Sequence, residues 1–359
     1  MAAKETDQFD NGSDTLLDVC DLWKLFPSSR GLLKSPGPPV RAVENVSFSI
    51  QDGEAFGLVG ESGCGKTTVL RCIVRAIPPT SGRVMFRTES GPVVDLATLT
   101  HRQLRPLRPE IQMIFQNPFT SLNPRMRLLD IIGEPLLLQG MKNRQQRVER
   151  VKQLLGLVGL PDEYLGRFPH AFSGGERQRI GIARALATHP RLVVADEPLS
   201  ALDVSVQAQV LNLMRDLQRQ LKLTFLLVSH DLGVVRHFCD RVAVMYAGQI
   251  VEMAAVEDIF ASPKHPYTAA LLESVPEPDP RGRESLRVLG GEVPNPAAPP
   301  SGCRFHPRCP HATDTCRQAV PLWESAGPDH WVACHHADTW PRTEGGRVYD
   351  SDEGMTKDK

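Results

Sequence analysis

Short unbroken apolar runs alternate along this chain with stretches of three- and four-residue periodicity. Ala55-Phe56-Gly57-Leu58-Val59, Leu192-Val193-Val194-Ala195 and Thr224-Phe225-Leu226-Leu227-Val228 are strand-length runs without polar alternation. Such runs suit parallel strands buried on both faces. Between them, Val148, Val151, Leu154, Leu155 and Val158 recur at helical spacing, and Val206, Val210, Leu213, Met214, Leu217 and Leu221 do so over a longer stretch. Strands alternating with helices predict an α/β core.

The flanking pattern adds detail. A first strand is expected over Leu16 to Leu22, with Phe26 after it and a Pro/Gly/Ser-rich loop from Pro27 to Pro39. Val43, Val46, Phe48 and Ile50 indicate a second strand, closed by an Asp52-Gly53 turn. Short strands are expected from Arg83 to Leu96 and over Ile111 to Phe115, where Gln116 ends the run and Asn117-Pro118 breaks it. From Leu128 to about Leu186 the signal is helical, interrupted at Gly159-Leu160-Pro161. Arg241 to Glu252 reads as a hairpin turning at Ala247-Gly248. Prolines crowd Pro276 to Pro310, which predicts a linker or extended arm leaving the core.

Composition narrows the class. A chain of 359 residues has room for two domains. The 41 basic and 42 acidic residues balance, which argues against a general nucleic-acid binder. No apolar run approaches the roughly 18–20 residues of a membrane span, and the polar start Met1 to Asp7 lacks the apolar core of a signal peptide. A cytosolic setting is therefore expected. There, the eight cysteines are thiols or metal ligands before they are disulfides.

The chemistry starts at Gly60-Glu61-Ser62-Gly63-Cys64-Gly65-Lys66-Thr67-Thr68, which fits the phosphate-loop spacing G-x-x-x-x-G-K-[ST] between a strand and a helix start from Thr68 to Ala76. Glycines let the backbone wrap an anion, and the N–H groups of the following helix end face it. Lys66 would reach the outer phosphates and the Thr67 hydroxyl would ligate Mg²⁺. Asp196, ending a buried strand, is placed to hold the same ion, and Glu197 to polarise an attacking water. His230 and Gln116 each end an apolar strand and are candidates for γ-phosphate contact, though strand-end polar residues are ordinarily structural. Ser173-Gly174-Gly175-Glu176 begins a helix. Ser173 and Glu176 have capping-box spacing, and the paired glycines also make an anion cradle that a facing second chain could use.

Together, in this order, the motifs resemble the ATP-binding-cassette (ABC) transporter ATPases over about Leu16 to Leu272. Gly60–Thr68 is similar to Walker A, Gln116 to the Q-loop, Ser173–Glu176 to the signature motif and Leu192–Asp196 to Walker B. Glu197 matches the family's catalytic carboxylate, Ser200-Ala201-Leu202-Asp203 its D-loop, His230 its switch histidine and Phe26 its adenine-stacking aromatic. The resemblance implies a P-loop ATPase fold with RecA-like and helical subdomains, the latter over about 118–187, and Mg²⁺ held by Thr67, Gln116 and Asp196. The cassette would span 15–272, between a tail at 1–14 and an extension at 273–342 followed by a second tail at 343–359.

Phe115-Gln116-Asn117-Pro118, Ser205 to Gln209, His265-Pro266-Tyr267-Thr268 and Pro299 to Pro310 resemble the dipeptide/oligopeptide importer branch, which also includes nickel importers. That resemblance implies an ATP-hydrolysing motor. Two chains, often different ones, would close head to tail on two ATP. They would drive two permease subunits fed by an extracytoplasmic binding protein, from the cytoplasmic face of the inner membrane and without nucleic acid. Helices beginning near Phe119 would dock on the channel. A soluble ABC ATPase acting without a channel is the rival reading, and nickel or another small solute is the alternative cargo.

Cys303, Cys309, Cys316 and Cys334 stand with five, six and seventeen residues between them, which suggests a four-thiol metal site. The spacing matches neither a zinc ribbon nor a bacterial ferredoxin run. Resemblance to the importer branch implies a [4Fe–4S] cluster. Zinc and free thiols remain alternatives, and His306, His311, His335 and His336 leave mixed ligation open. Cys20, Cys64, Cys72 and Cys239 read as small buried apolar groups.

Overall fold

The computed structural model describes residues 14–28, 37–273, 290–292, 294–337 and 339. Residues 1–13 of the tail expected at 1–14, the tail expected at 343–359, and 274–289 of the extension expected from 273 lie outside the described residues.

In chain order the strands are β1 (Thr15–Ser28), β2 (Gly37–Gln51), β3 (Ala55–Val59), β4 (Ser81–Arg87), β5 (Val93–Asp95), β6 (Ile111–Ile114), β7 (Leu192–Asp196), β8 (Thr224–Ser229), β9 (Arg241–Tyr246), β10 (Gln249–Ala255), β11 (Glu324–Gly327) and β12 (His330–Val332). The helices are α1 (Lys66–Ile73), α2 (His101–Leu104), α3 (Pro118–Ser121), α4 (Leu128–Leu138), α5 (Arg144–Leu157), α6 (Gly174–Leu186), α7 (Val204–Leu221), α8 (Leu232–Phe238), α9 (Val256–Ala261), α10 (Pro266–Glu273) and α11 (Asp314–Gln318).

The unbroken apolar runs behave as expected. All residues of β3, β7 and β8 are buried. They pair in parallel, with Ala55 opposite Phe225 and Leu192 opposite Thr224, while β6 and β9 extend the parallel set on either side. The full sheet runs β11-β12-β10-β9-β3-β8-β7-β6. A second, antiparallel sheet of order β2-β1-β4-β5 packs on it through Phe48, whose ring stacks on Phe56 at 5.0 Å. The helical region packs Ile131, Ile132, Val151, Leu154, Leu155 and Ile180 into one core with β7 and β8.

Three sequence expectations change. The strand expected over Leu16–Leu22 continues to Ser28, so Phe26 lies inside β1 and Pro27 and Pro38-Pro39 belong to paired strands, with Phe26 opposite Val40 and Ser28 opposite Gly37. Proline is tolerated because β2 is the sheet edge and Pro27 nearly ends β1. The helix after the phosphate loop starts at Lys66, not Thr68, because Gly65 forms its N-cap in a left-handed conformation. The proline-crowded segment does not leave the core at its far end. Phe305, 1% exposed, packs its ring against Tyr246, Tyr267 and His265 at 5.2, 5.4 and 5.6 Å. Farther on, β12 adds to β10, with Glu252 opposite Val332. Burying an aromatic ring and completing a strand edge together draw the segment back.

Among the described residues, no helix is long and apolar enough to cross a membrane.

Candidate nucleotide site

The phosphate loop leaves β3 at Val59 and is held tightly between β9 and β2. A Cβ on Gly60 would stand 2.1 Å from the Met245 carbonyl oxygen, and one on Gly65 would stand 2.3 Å from that of Ala42. Both also have positive φ, 151° and 113°. Only glycine meets both conditions. Ser62 and Gly63 are exposed at the tip, while Cys64 and Lys66 are buried and Thr67 and Thr68 lie half-buried at the start of α1. Lys66 Nζ folds back over the loop, donating to the carbonyl oxygens of Gly60 (2.6 Å) and Glu61 (3.0 Å). It also donates to Cys64 Sγ at 3.8 Å, and among the described residues no carboxylate pairs with it, so the group is free to meet an anion.

The Thr67 hydroxyl donates to Asp196 Oδ1 at 3.0 Å, tying the loop to the end of β7. Burial raises the Asp196 carboxyl above the usual range, against the lowering effect of the Thr67 bond. A cation there would reverse that shift. Glu197 follows at φ 44°, a left-handed conformation that costs a non-glycine residue energy, and its N–H donates to the Val228 carbonyl at 2.9 Å. The turn aims the carboxylate at two partners. Gln116 Nε2 donates to Glu197 Oε2 at 3.0 Å, and His230 Nδ1 lies 3.2 Å from the same oxygen. Residues just beyond β6, β7 and β8 thus converge at the carboxyl ends of parallel strands, where open α/β sheets bind ligands.

A family model described as "ABC transporter" matches residues 43–200, and one described as "Oligopeptide/dipeptide transporter, C-terminal region" matches 251–316. The chain is 50% identical to the oligopeptide transport ATP-binding protein AppF of Bacillus subtilis, covering 90% of this chain and 97% of that one. It is 47% identical to the di/tripeptide transport ATP-binding protein DppF of Pseudomonas aeruginosa, covering 90% and 98%. The chain belongs to the ABC transporter family, in its oligopeptide/dipeptide branch. A solved dimeric ATP-binding cassette in a post-hydrolysis state with ADP and Pi shares the fold at TM-score 0.58 and 27% identity, covering 67% of this chain and 99% of that one. Membership makes the chain the ATP-binding motor subunit of a peptide importer, an ABC ATPase.

The remaining cassette motifs stand apart from the phosphate loop. Ser173 caps α6 through a full capping box: its Oγ accepts from Glu176 N–H, and Glu176 Oε2 accepts from Ser173 N–H at 2.8 Å. That backbone donor holds the Glu176 carboxyl below its ordinary value. Gly174 and Gly175 open the helix, and Ser173 is exposed. Asp203 precedes α7 and is also exposed, beside Val204 at 83% exposure. Among the described residues, no hydrogen bond or ion pair joins Ser173–Glu176 or Asp203 to the loop at Lys66. Phe26 lies partly exposed on β1 beneath the Lys24 ammonium, 5.0 Å from its ring centre.

The branch-specific extension reaches the phosphate loop directly. Arg308 donates to both Glu61 carboxylate oxygens at 2.6 and 2.9 Å, and the Tyr267 hydroxyl accepts the Glu61 N–H at 2.9 Å. Arg304 donates to the Ala247 carbonyl and, at 2.5 Å, to Glu44. Sequence reasoning used Tyr267 and the 304–308 segment only as marks of the branch. The signal available was two arginines flanking a lone aromatic residue.

Cys303, Cys309, Cys316 and Cys334 line one cavity, together with His265, His306, His311, His335 and His336. None of these four cysteines forms a disulfide. Burial pushes the Cys309 thiol up to about 11 and the Cys334 thiol up to about 12. Backbone N–H groups work against burial: those of Phe305 and His306 at Cys303, His311 at Cys309 and His336 at Cys334. Among the described residues, no three His, Cys, Asp or Glu side chains form a closed ligand group. This applies to the cysteine cavity and to Asp196 alike. Cys64, Cys72 and Cys239 are buried as expected, while Cys20 is half-buried and shares its thiol with Asp18 at 3.1 Å.

Proposed function

We propose that two such ATPase chains close head to tail on two ATP molecules. In each, Gly60–Thr68 grips one triphosphate, Phe26 stacks on its adenine, and Ser173–Glu176, exposed at Ser173, and the exposed Asp203 seal the nucleotide of the opposite chain. Thr67, Asp196 and Gln116 hold Mg²⁺. Glu197 accepts a proton from the attacking water, and His230 and Gln116 orient that carboxylate and report the γ-phosphate. The observation that carries this reading is the convergence of Gln116 and His230 on Glu197 Oε2, beside the Thr67–Asp196 bond. Exposure of both the Ser173 turn and Val204 supports a second chain above them.

Phe119 on α3 and Phe115 just before it, 53% and 47% exposed, support docking of permease subunits there. A different ATPase chain as partner, two permease subunits, an extracytoplasmic binding protein and residence on the cytoplasmic face of the inner membrane complete the proposed assembly. The test is recovery of neighbours from membranes in mild detergent. Co-purifying permease subunits support transport, whereas ribosomes or nucleic acid would overturn it.

The four cysteines would hold a [4Fe–4S] cluster. Soft thiolates suit iron–sulfur ligation, and N–H groups directed at three of the sulfurs stabilise the thiolate form. Bound there, the cluster would crosslink the segments at 303–316 and 334. Metal and sulfide analysis of anaerobically purified protein decides this, and zinc without iron would refute it.

A further inference from the structure

Glu61 puts a carboxylate into a loop built to receive a highly charged anion, and the charge demands an answer. The extension supplies it. Arg308 meets Glu61 as a fork, Nη1 on Oε2 and Nη2 on Oε1, and its side chain is 4% exposed. Its Nη1 also reaches the Tyr246 hydroxyl at 3.4 Å. On the backbone side, Tyr267, fully buried, accepts the Glu61 N–H. Tyr246 and Tyr267 pack ring on ring at 4.6 Å, and Phe305 packs against both, which fixes the two hydroxyl-bearing rings and the stretch of chain that carries Arg308. Glu61 is therefore held at its N–H and at its carboxylate by residues about two hundred or more positions away in sequence.

The geometry points to Arg308 and Tyr267 as positioning residues of the phosphate loop: the C-terminal extension neutralises Glu61 and fixes the loop in its nucleotide-receiving shape. This rests on the reading that Gly60–Thr68 grips the triphosphate. Without Arg308, Glu61 would present an unpaired carboxylate to the entering phosphates. The penalty would fall on ATP more than on ADP and would shrink with added salt.

The test is a mutant cycle on the full chain, with Mg·ATP and Mg·ADP affinities measured by titration calorimetry and folding checked by thermal melts. Arg308→Ala is expected to raise the Kd for ATP about tenfold, ~1.4 kcal/mol, and the Kd for ADP less. In a Glu61→Gln background the same change should alter the ATP Kd less than twofold. Tyr267→Phe should weaken ATP binding severalfold in either background. Should Arg308→Ala fail to fold, Arg308→Gln carries the same cycle. A merely structural role would lower the melting temperature equally in both backgrounds and leave nucleotide affinity unmoved, and that result overturns the proposal. An Arg308 effect on ATP affinity of equal size in both backgrounds overturns it too. Failure of the unmutated chain to bind Mg·ATP would instead sink the nucleotide reading itself.

Discussion

Replacing Glu197 with glutamine isolates chemistry from binding. The change exchanges one carboxylate oxygen for an NH2 group and nearly keeps the side-chain volume. With its amide oxygen in the Oε2 place, the glutamine still accepts from Gln116 Nε2, now at 3.0 Å, and still faces His230 Nδ1, now 3.2 Å from that oxygen. The left-handed turn and its N–H bond to Val228 stay as they are. Fold stability should shift by less than ~1 kcal/mol. A general base contributes roughly 10²–10⁴ in rate, so the barrier should rise by about 3–5 kcal/mol. Glu197→Gln should therefore bind Mg·ATP with unchanged affinity, lose steady-state phosphate release by two to four orders of magnitude, and accumulate as an ATP-bound dimer in size-exclusion chromatography. Undiminished hydrolysis would refute the assignment of the base. Loss of ATP binding in step with hydrolysis would show that Glu197 shapes the pocket rather than acting on water.

Other substitutions probe separate parts. Lys66→Ala removes the ammonium that now bridges Gly60 and Glu61, and ATP affinity measured by titration should fall at least tenfold. Phe305→Ala empties a ring site 1% exposed to solvent; chemical denaturation should show a loss of ~3–5 kcal/mol. His265 supplies a pH dependence. Burial pulls its imidazole down to about 4, below the unfolded value, so the unfolded chain binds the extra proton first. Stability from this group is full above about pH 6.5 and is lost as pH falls toward 4, by up to ~3 kcal/mol. Denaturation at stepped pH should show that slope, and His265→Gln should flatten it.

Legibility followed the range of the interactions. The buried runs at Ala55–Val59 and Leu192–Ala195 declare parallel strands because both faces of each must be apolar, a property that each segment carries by itself. The phosphate loop was equally plain, since its glycines, lysine and threonine act within nine residues. The meeting of Gln116, Glu197 and His230 follows from strand order, which periodicity does not carry; the sequence pointed to these residues through resemblance. Prolines at 27, 38 and 39 misled because pairing between β1 and β2 outweighs local preference. The return of Phe305 and Arg308 was unreadable for the same reason: their partners Tyr246, Tyr267 and Glu61 lie far away along the chain.

The pairing of β12 with β10 has a consequence for anyone shortening this protein. Glu252 and Met253 take their outer backbone partners from Val332 and Trp331, and Glu252 Oε1 meets His330 Nε2 at 2.7 Å in the interior. A chain cut back to the catalytic portion would leave a naked strand and a Glu252 carboxylate that keeps the N–H groups of Lys264 and His265 but loses its His330 partner. Its exposed ladder would recruit a neighbour's, so loss of solubility in such a fragment would reflect a missing border, not a damaged motor.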